Sequence, residues 1–259
     1  MKKITVLFLL IASLCQAQVR LSEHAEISVV TCGPSIEEVY SAFGHSAFRV
    51  YDPVNRIDYV YNYGVFDFDK PNFYLNFARG ENLYQLGVYD YRRFEYSYIL
   101  ENRYIHQQLL NLDGEEKQKL FDFLQWNALP ENMEYLYDYF YDNCATKIPE
   151  VVLEVFGEAV DFDGSYIKTD YTFRELTDFY LRVHPWGDLG IDVGLGLPTD
   201  KVATPYEYMF LPEYVESGFA HATILHDGVK EPLVKETMVI YESKPGGYTF
   251  PLFHPLVVF

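Results

Sequence analysis

Two short segments carry the residue types of thiol chemistry. Ser41-Ala42-Phe43-Gly44-His45-Ser46-Ala47-Phe48-Arg49-Val50 sets a histidine after a glycine at the head of a strand-like run. Tyr141-Asp142-Asn143-Cys144-Ala145-Thr146-Lys147 sets a cysteine behind an Asp-Asn pair, where a helix can begin. Unpaired N–H groups at a helix start acidify a thiol, and an imidazole beside it takes the proton. If they meet in space, Cys144 and His45 form a nucleophile for covalent catalysis. A catalytic histidine also needs an orienting partner. Asn62 in Val60-Tyr61-Asn62-Tyr63-Gly64 is the first candidate and Asp58 its competitor. An oxyanion hole would draw on the Cys144 backbone N–H, helped by the Asn143 side chain. Each residue also has a plainer role. Free cysteine is usually buried and inert, a lone histidine is usually structural, and Asn62 can simply satisfy backbone groups.

The other six histidines are His24, His106, His184, His221, His226 and His254. None stands at metal-ligand spacing from another His or Cys, so no metal is expected. No glycine pattern marks a nucleotide site: Gly190, Gly194 and Gly196 match neither a dinucleotide fingerprint nor a phosphate loop. No cofactor is expected.

The elements that must position these residues read as follows. Ala25–Thr31 alternates and is β-rich, a strand. Pro34–Ala42 reads as a short helix with Glu37 and Glu38 in its first turns. Residues 47–51 and 59–66 form a hairpin around Asp52-Pro53-Val54-Asn55, which brings Asn62 beside the His45 strand. Residues 83–91 and 95–100 are further strand candidates. Residues 115–127 form the clearest helix, with capping-box spacing between Asp113 and Glu116. Residues 135–141 are strand-like. A helix then runs from Cys144 or Thr146 to Phe156 and closes at Gly157. Pro149 is harmless only if that helix starts at Thr146, which would leave Cys144 ahead of the helix. Residues 172–183 form another helix stopped at His184-Pro185, and residues 187–198 a glycine-rich loop. Thr204–Tyr214 reads as one short helix, and residues 222–242 as two strands around Asp227-Gly228.

Met1-Lys2-Lys3 followed by apolar Ile4–Leu14 and ending at Ala17 reads as a signal peptide over residues 1–17. The bulky Leu14 before Cys15 argues against lipidation. The exported chain then keeps only Cys32 and Cys144, which allows one bridge and no disulfide framework. The core must therefore be hydrophobic. A charge of −18, with 38 acidic against 20 basic residues, argues against nucleic acid and against electrostatic docking on anionic lipid. Aromatics make up 18% of the chain, which suits strands, interfaces and membrane borders. The apolar end, Tyr248–Phe259, fits either a docked tail or a cut made near a membrane span.

Taken in order, these segments resemble a family. Thr31-Cys32-Gly33-Pro34, Tyr40–His45, Tyr61–Phe68 and Asp142-Asn143-Cys144-Ala145-Thr146 resemble the periplasmic domain of Lnb-type proteins, which are linked to lipoprotein N-acylation. Pro71–Tyr74, Glu101-Asn102-Arg103 and Glu207–Pro212 extend the likeness across most of residues 25–215. The resemblance implies an α+β fold of papain-like, NlpC/P60-like type in permuted order, histidine before cysteine, similar to lecithin:retinol acyltransferase-type enzymes. It implies that His45 and Cys144 are catalytic, with Asn62 at a strand position whose role is less certain. It further implies a phospholipid acyl donor and a lipoprotein acceptor. It places the domain in the periplasm, at the inner membrane in a full-length form whose membrane helices this chain lacks. The expected layout is residues 1–17 as signal, 18–215 as thiol domain and 216–259 as a β-rich extension. Two other functions stay open: a cysteine hydrolase of the envelope using water as acceptor, and a non-catalytic binding domain with a Cys32–Cys144 disulfide. Cys32 is otherwise a plain buried residue at a strand end.

Overall fold

Alternating or continuously apolar runs make the strands, and antiparallel pairing assembles them. A computed structural model of the chain describes residues 19–35, 41–66, 76 and 79–244. The leader over residues 1–17, most of the short helix over 34–42, the 67–75 portion of the family-like motifs and the apolar tail over 248–259 lie outside the described residues.

A seven-stranded antiparallel sheet is built from β1 (Glu26–Cys32), β2 (His45–Asp52), β3 (Ile57–Val65), β4 (Leu83–Asp90), β5 (Ile105–Leu110), β6 (Glu134–Leu136) and β10 (Val234–Tyr241). Its spatial order is β10-β5-β1-β2-β3-β4-β6. A second antiparallel sheet joins β7 (Val160–Asp161), β8 (Thr223–His226) and β9 (Val229–Pro232). The helices are α1 (Tyr91–Leu100), α2 (Gly114–Asn127), α3 (Lys147–Phe156), α4 (Phe173–Leu181), α5 (Pro185–Leu195) and α6 (Pro212–His221). The chain is therefore α+β, as expected.

The large sheet is covered on both faces. Ile27, Val29, Phe48, Val50, Tyr61 and Tyr63 pack against Leu120, Phe121 and Leu124 of α2, Ile148 and Val152 of α3, and Phe219 of α6. On the opposite face, Val30, Cys32, Ala47 and Val60 pack against Tyr91 and Phe94 of α1. β1 is accordingly buried without interruption from Ile27 to Cys32, along both sides, Ser28 and Thr31 included. Removing this apolar surface from water is the main stabilising term, at about 25 cal/mol per Å². A third cluster joins Phe140, Phe173, Leu176, Tyr208, Phe210 and Leu211.

Four expectations need correction. Residues 95–100 are not a strand but the second half of α1. Asp90 caps that helix by accepting from Arg93 N at 3.2 Å, and Tyr91 and Phe94 bury one helical face. Aromatic content imitates strand propensity, but the three-residue spacing decides. Residues 187–198 are not a loop: Pro185 starts α5 at a position where proline is tolerated, and Gly196 at φ +63° ends it. Thr204–Tyr214 divides into a short 3-10 turn, Glu207–Phe210, and the start of α6 at Pro212. Residues 222–242 hold three strands rather than two. β8 and β9 form the hairpin around Asp227-Gly228, whereas β10 crosses to the large sheet and pairs with β5. β5 itself has no apolar alternation to announce it. Its Gln107 and Gln108 are buried by hydrogen bonding, to Arg49 and Ser28 and to Glu216 O respectively.

Among the described residues, no helix is long and apolar enough to cross a membrane.

Candidate functional site

β1, β2 and β3 lie side by side, and their ends carry the histidine and its partner. Cys32 pairs across β1–β2 with His45, the first residue of β2. Phe48 pairs with Tyr61, so β3 continues past Tyr61 alongside the head of β2. There the β3–β4 register is interrupted between Asn62 and Val65, and Gly64 takes φ +86°. Irregularities of this kind re-aim side chains. The outcome is a contact of 2.5 Å between His45 Nε2 and Asn62 Oδ1. His45 also lies parallel to the Tyr98 ring, with centroids 6.3 Å apart, and 6.2 Å from Phe94, both on α1.

Asp58, the competing orienter, is at the other end of the hairpin. It opposes Tyr51 and holds Arg49 at 2.8 and 3.1 Å. That ion pair accounts for both of its oxygens.

Cys144 sits in a turn that its neighbours tie down. Asp138 and Asp142 exchange backbone hydrogen bonds at 3.1 and 3.0 Å. Asn143 Oδ1 accepts from Ala145 N at 2.7 Å and Thr146 N at 3.0 Å. Its Nδ2 donates to Tyr139 O at 2.9 Å and Phe210 O at 3.0 Å. Both amide hydrogens are thus used, so the Asn143 side chain has none to give an oxyanion. Its role is to clamp the turn, which corrects the expectation that it helps the oxyanion hole.

α3 begins at Lys147, so Cys144 precedes the helix. Pro149 falls at its third residue, where the missing N–H is one of the unpaired ones at any helix start. The helix field on the thiol is weakened accordingly. The main-chain N–H groups of Ser46 and Cys144 favour the thiolate instead, while that of Ala145 is held by Asn143 Oδ1. Ser46 directly follows His45, and an added Cβ on Gly64 would lie 3.2 Å from Cys144 Cβ. The thiol is therefore lodged between the two strands that carry His45 and Asn62.

Burial dominates the proton energetics. It pushes the Cys144 thiol up to about 11, against the N–H groups and the charge of Arg103, which favour the anion. It pulls His45 down to about 4, opposed by the Asn62 hydrogen bond and reinforced by Arg103. At neutral pH the Cys144 thiol and the His45 imidazole are each uncharged. Because Asn62 presents a carbonyl oxygen, which only accepts, the His45 proton is on Nε2 and the lone pair on Nδ1. Cys32 is fully buried and its thiol is pushed far up by that burial. Both cysteines are free, so the Cys32–Cys144 bridge is not formed in this structure.

Two contributors had no role assigned from sequence. Gly64 leaves room for Cys144. Arg103 is the cation nearest in effect, acting on Cys32, His45 and Cys144 together. Both stand inside motifs quoted above, which was the available signal. Elsewhere, Asp178, Asp188 and Asp192 bring carboxylate oxygens within 4.8 Å of one another. Arg174 neutralises part of that cluster through Asp192.

Residues 15–178 match the family model described as the Lnb N-terminal periplasmic domain. No curated protein and no solved structure matches the chain.

Proposed function

The chain belongs to the family of the Lnb N-terminal periplasmic domain, an envelope family, and from that premise we propose that it is a cysteine-dependent acyltransferase. The observation that carries this reading is the 2.5 Å His45–Asn62 contact on the two strands that also enclose Cys144. The histidine-first order supports a permuted papain-like fold.

His45 Nδ1 takes the thiol proton as Cys144 Sγ attacks the acyl carbonyl of a phospholipid ester. The carbonyl oxygen becomes an oxyanion against the Cys144 N–H. His45 then returns the proton to the leaving lysophospholipid oxygen, and a thioester remains on Cys144. The α-amino group of a lipoprotein's diacylglyceryl cysteine attacks next. Its proton passes to His45, the amide forms and the thiol is regenerated. The neutral resting pair suits this scheme, because proton transfer accompanies attack and no charge pair must persist in a buried site.

The test is intact-mass analysis of the full chain with phospholipid carrying a labelled acyl group. The expected adduct is one acyl on Cys144, passed on to a diacylglyceryl-cysteine peptide. Release of free fatty acid only, with the peptide unmodified, would replace the transferase with a hydrolase. Loss of the adduct in Cys144→Ala with full activity in His45→Ala would remove the dyad.

A further inference from the structure

Beside Asn62 opens a cleft of about 650 Å³, lined on one side by α1 and on another by Arg103. Ligand pockets span roughly 300–1,000 Å³, so it takes a small polar group readily. Its wall is shared with the site: Asn62, Phe94 and Tyr98 line it, and all three contact His45.

Two cations face this cleft in a chain that is otherwise strongly acidic. Arg103 is almost fully buried, with its guanidinium over the Tyr98 ring at 4.4 Å. Nε donates to Gly33 O at 2.7 Å and Nη1 to Glu101 Oε2 at 3.0 Å. Nη2 has no hydrogen-bond partner among the described residues. Arg93, one turn into α1, is exposed, and its guanidinium forms no ion pair among the described residues. Two acids also line the cleft, Asp90 and Glu101, so its formal charges balance. Asp90 is directed to the α1 N-terminus and Glu101 to Arg103 Nη1, which leaves Arg103 Nη2 and the Arg93 guanidinium as its uncommitted donors among the described residues. Planar guanidinium groups with free N–H donors are matched to phosphate oxygens.

We propose that this cleft is the subsite for a phosphate-bearing headgroup of the acyl donor, with Arg93 and Arg103 supplying its positive charge. The proposal rests on the acyltransferase reading of Cys144. It puts the phosphate on the Asn62 side of the dyad, leaving the acyl ester to reach the sulfur.

The experiment has two arms on the full chain. First, binding of sn-glycerol 3-phosphate to Cys144→Ala protein is measured by calorimetry, with inorganic phosphate alongside. Saturable glycerol-phosphate binding that weakens about tenfold in Arg93→Gln and partly recovers in Arg93→Lys is expected. Equal affinity in all three proteins, or no binding, overturns the subsite. Inorganic phosphate binding as tightly as glycerol phosphate would overturn a headgroup site in favour of a free-phosphate site. Second, thioester formation on Cys144 is followed with phosphatidylglycerol and with diacylglycerol of the same acyl chains. The preference for phosphatidylglycerol should fall about tenfold in Arg93→Gln and stay unchanged in Arg92→Gln. An unchanged preference in Arg93→Gln overturns the proposal. Binding without a thioester from either donor overturns the acyltransferase reading alone.

Discussion

His45 Nε2 and Asn62 Oδ1 are 2.5 Å apart, and this contact fixes which imidazole nitrogen is basic. Asn62→Ala should lower acyl transfer roughly 10²-fold by releasing the ring, with little loss of fold. Asn62→Asp should raise the His45 pKa above about 4, because a carboxylate favours the imidazolium. Histidine ring shifts followed by NMR against pH would report this directly. An unmoved titration would mean that the ring is not held by residue 62.

The Cys144 thiol is pushed up to about 11 by burial, so its alkylation should not plateau near neutrality. Iodoacetamide labelling is expected to keep accelerating with pH through the alkaline range. A plateau already reached below pH 7 would instead mean a standing thiolate–imidazolium pair.

Acid should destabilise the protein in two steps. His45 is depressed from 6.5 to about 4, so the unfolded chain binds its proton first as pH falls. Its contribution is complete above pH 6.5 and is lost as pH drops through 4, by roughly 3 kcal/mol. Asp52 is buried, yet it accepts from Ser22 N and Oγ and from Asn55, and these bonds outweigh burial and hold it at about 2. Its contribution is complete above pH 3.8 and is lost through pH 2. Chemical denaturation across pH should show the first step vanish in His45→Gln. Asp52→Ala should lose about 3 kcal/mol at pH 7 through its unpaired N–H donors.

Gly64→Ala should cost about 1–3 kcal/mol, because φ +86° is strained for alanine and the new Cβ meets Cys144. Thermal melting measures the stability loss. Alkylation kinetics should show Cys144 displaced. Unchanged kinetics together with a lowered Tm would separate backbone strain from contact with the sulfur.

Much of the scaffold was legible in the residues. The Asp113–Glu116 capping box is formed as its spacing requires, and Gly157 ends α3 at φ +56°. The hairpin around residues 52–55 brought Asn62 to His45 because period-two alternation fixes strand faces. Where legibility failed, tertiary context had overridden local pattern. α1 is aromatic enough to imitate a strand, β5 buries glutamines, and β10 leaves its neighbours for the other sheet. At the site, Asn143 has the residue type of an oxyanion donor. Only its partners Tyr139 O and Phe210 O reveal that its hydrogens are taken. The weight of burial over helix field at Cys144 was equally invisible, since it depends on what folds around the sulfur.

The N–H group of Ser46 that faces the sulfur comes from β2, far from Cys144 along the chain. No local peptide around residue 144 can reproduce that environment. Before folding, Cys144 is an ordinary thiol, and His45, Asn62 and Gly64 are remote from it. The site around this sulfur is thus a product of long-range topology, complete only once β2 and β3 have closed on the turn. An unfolded chain therefore carries this thiol without the histidine strand beside it.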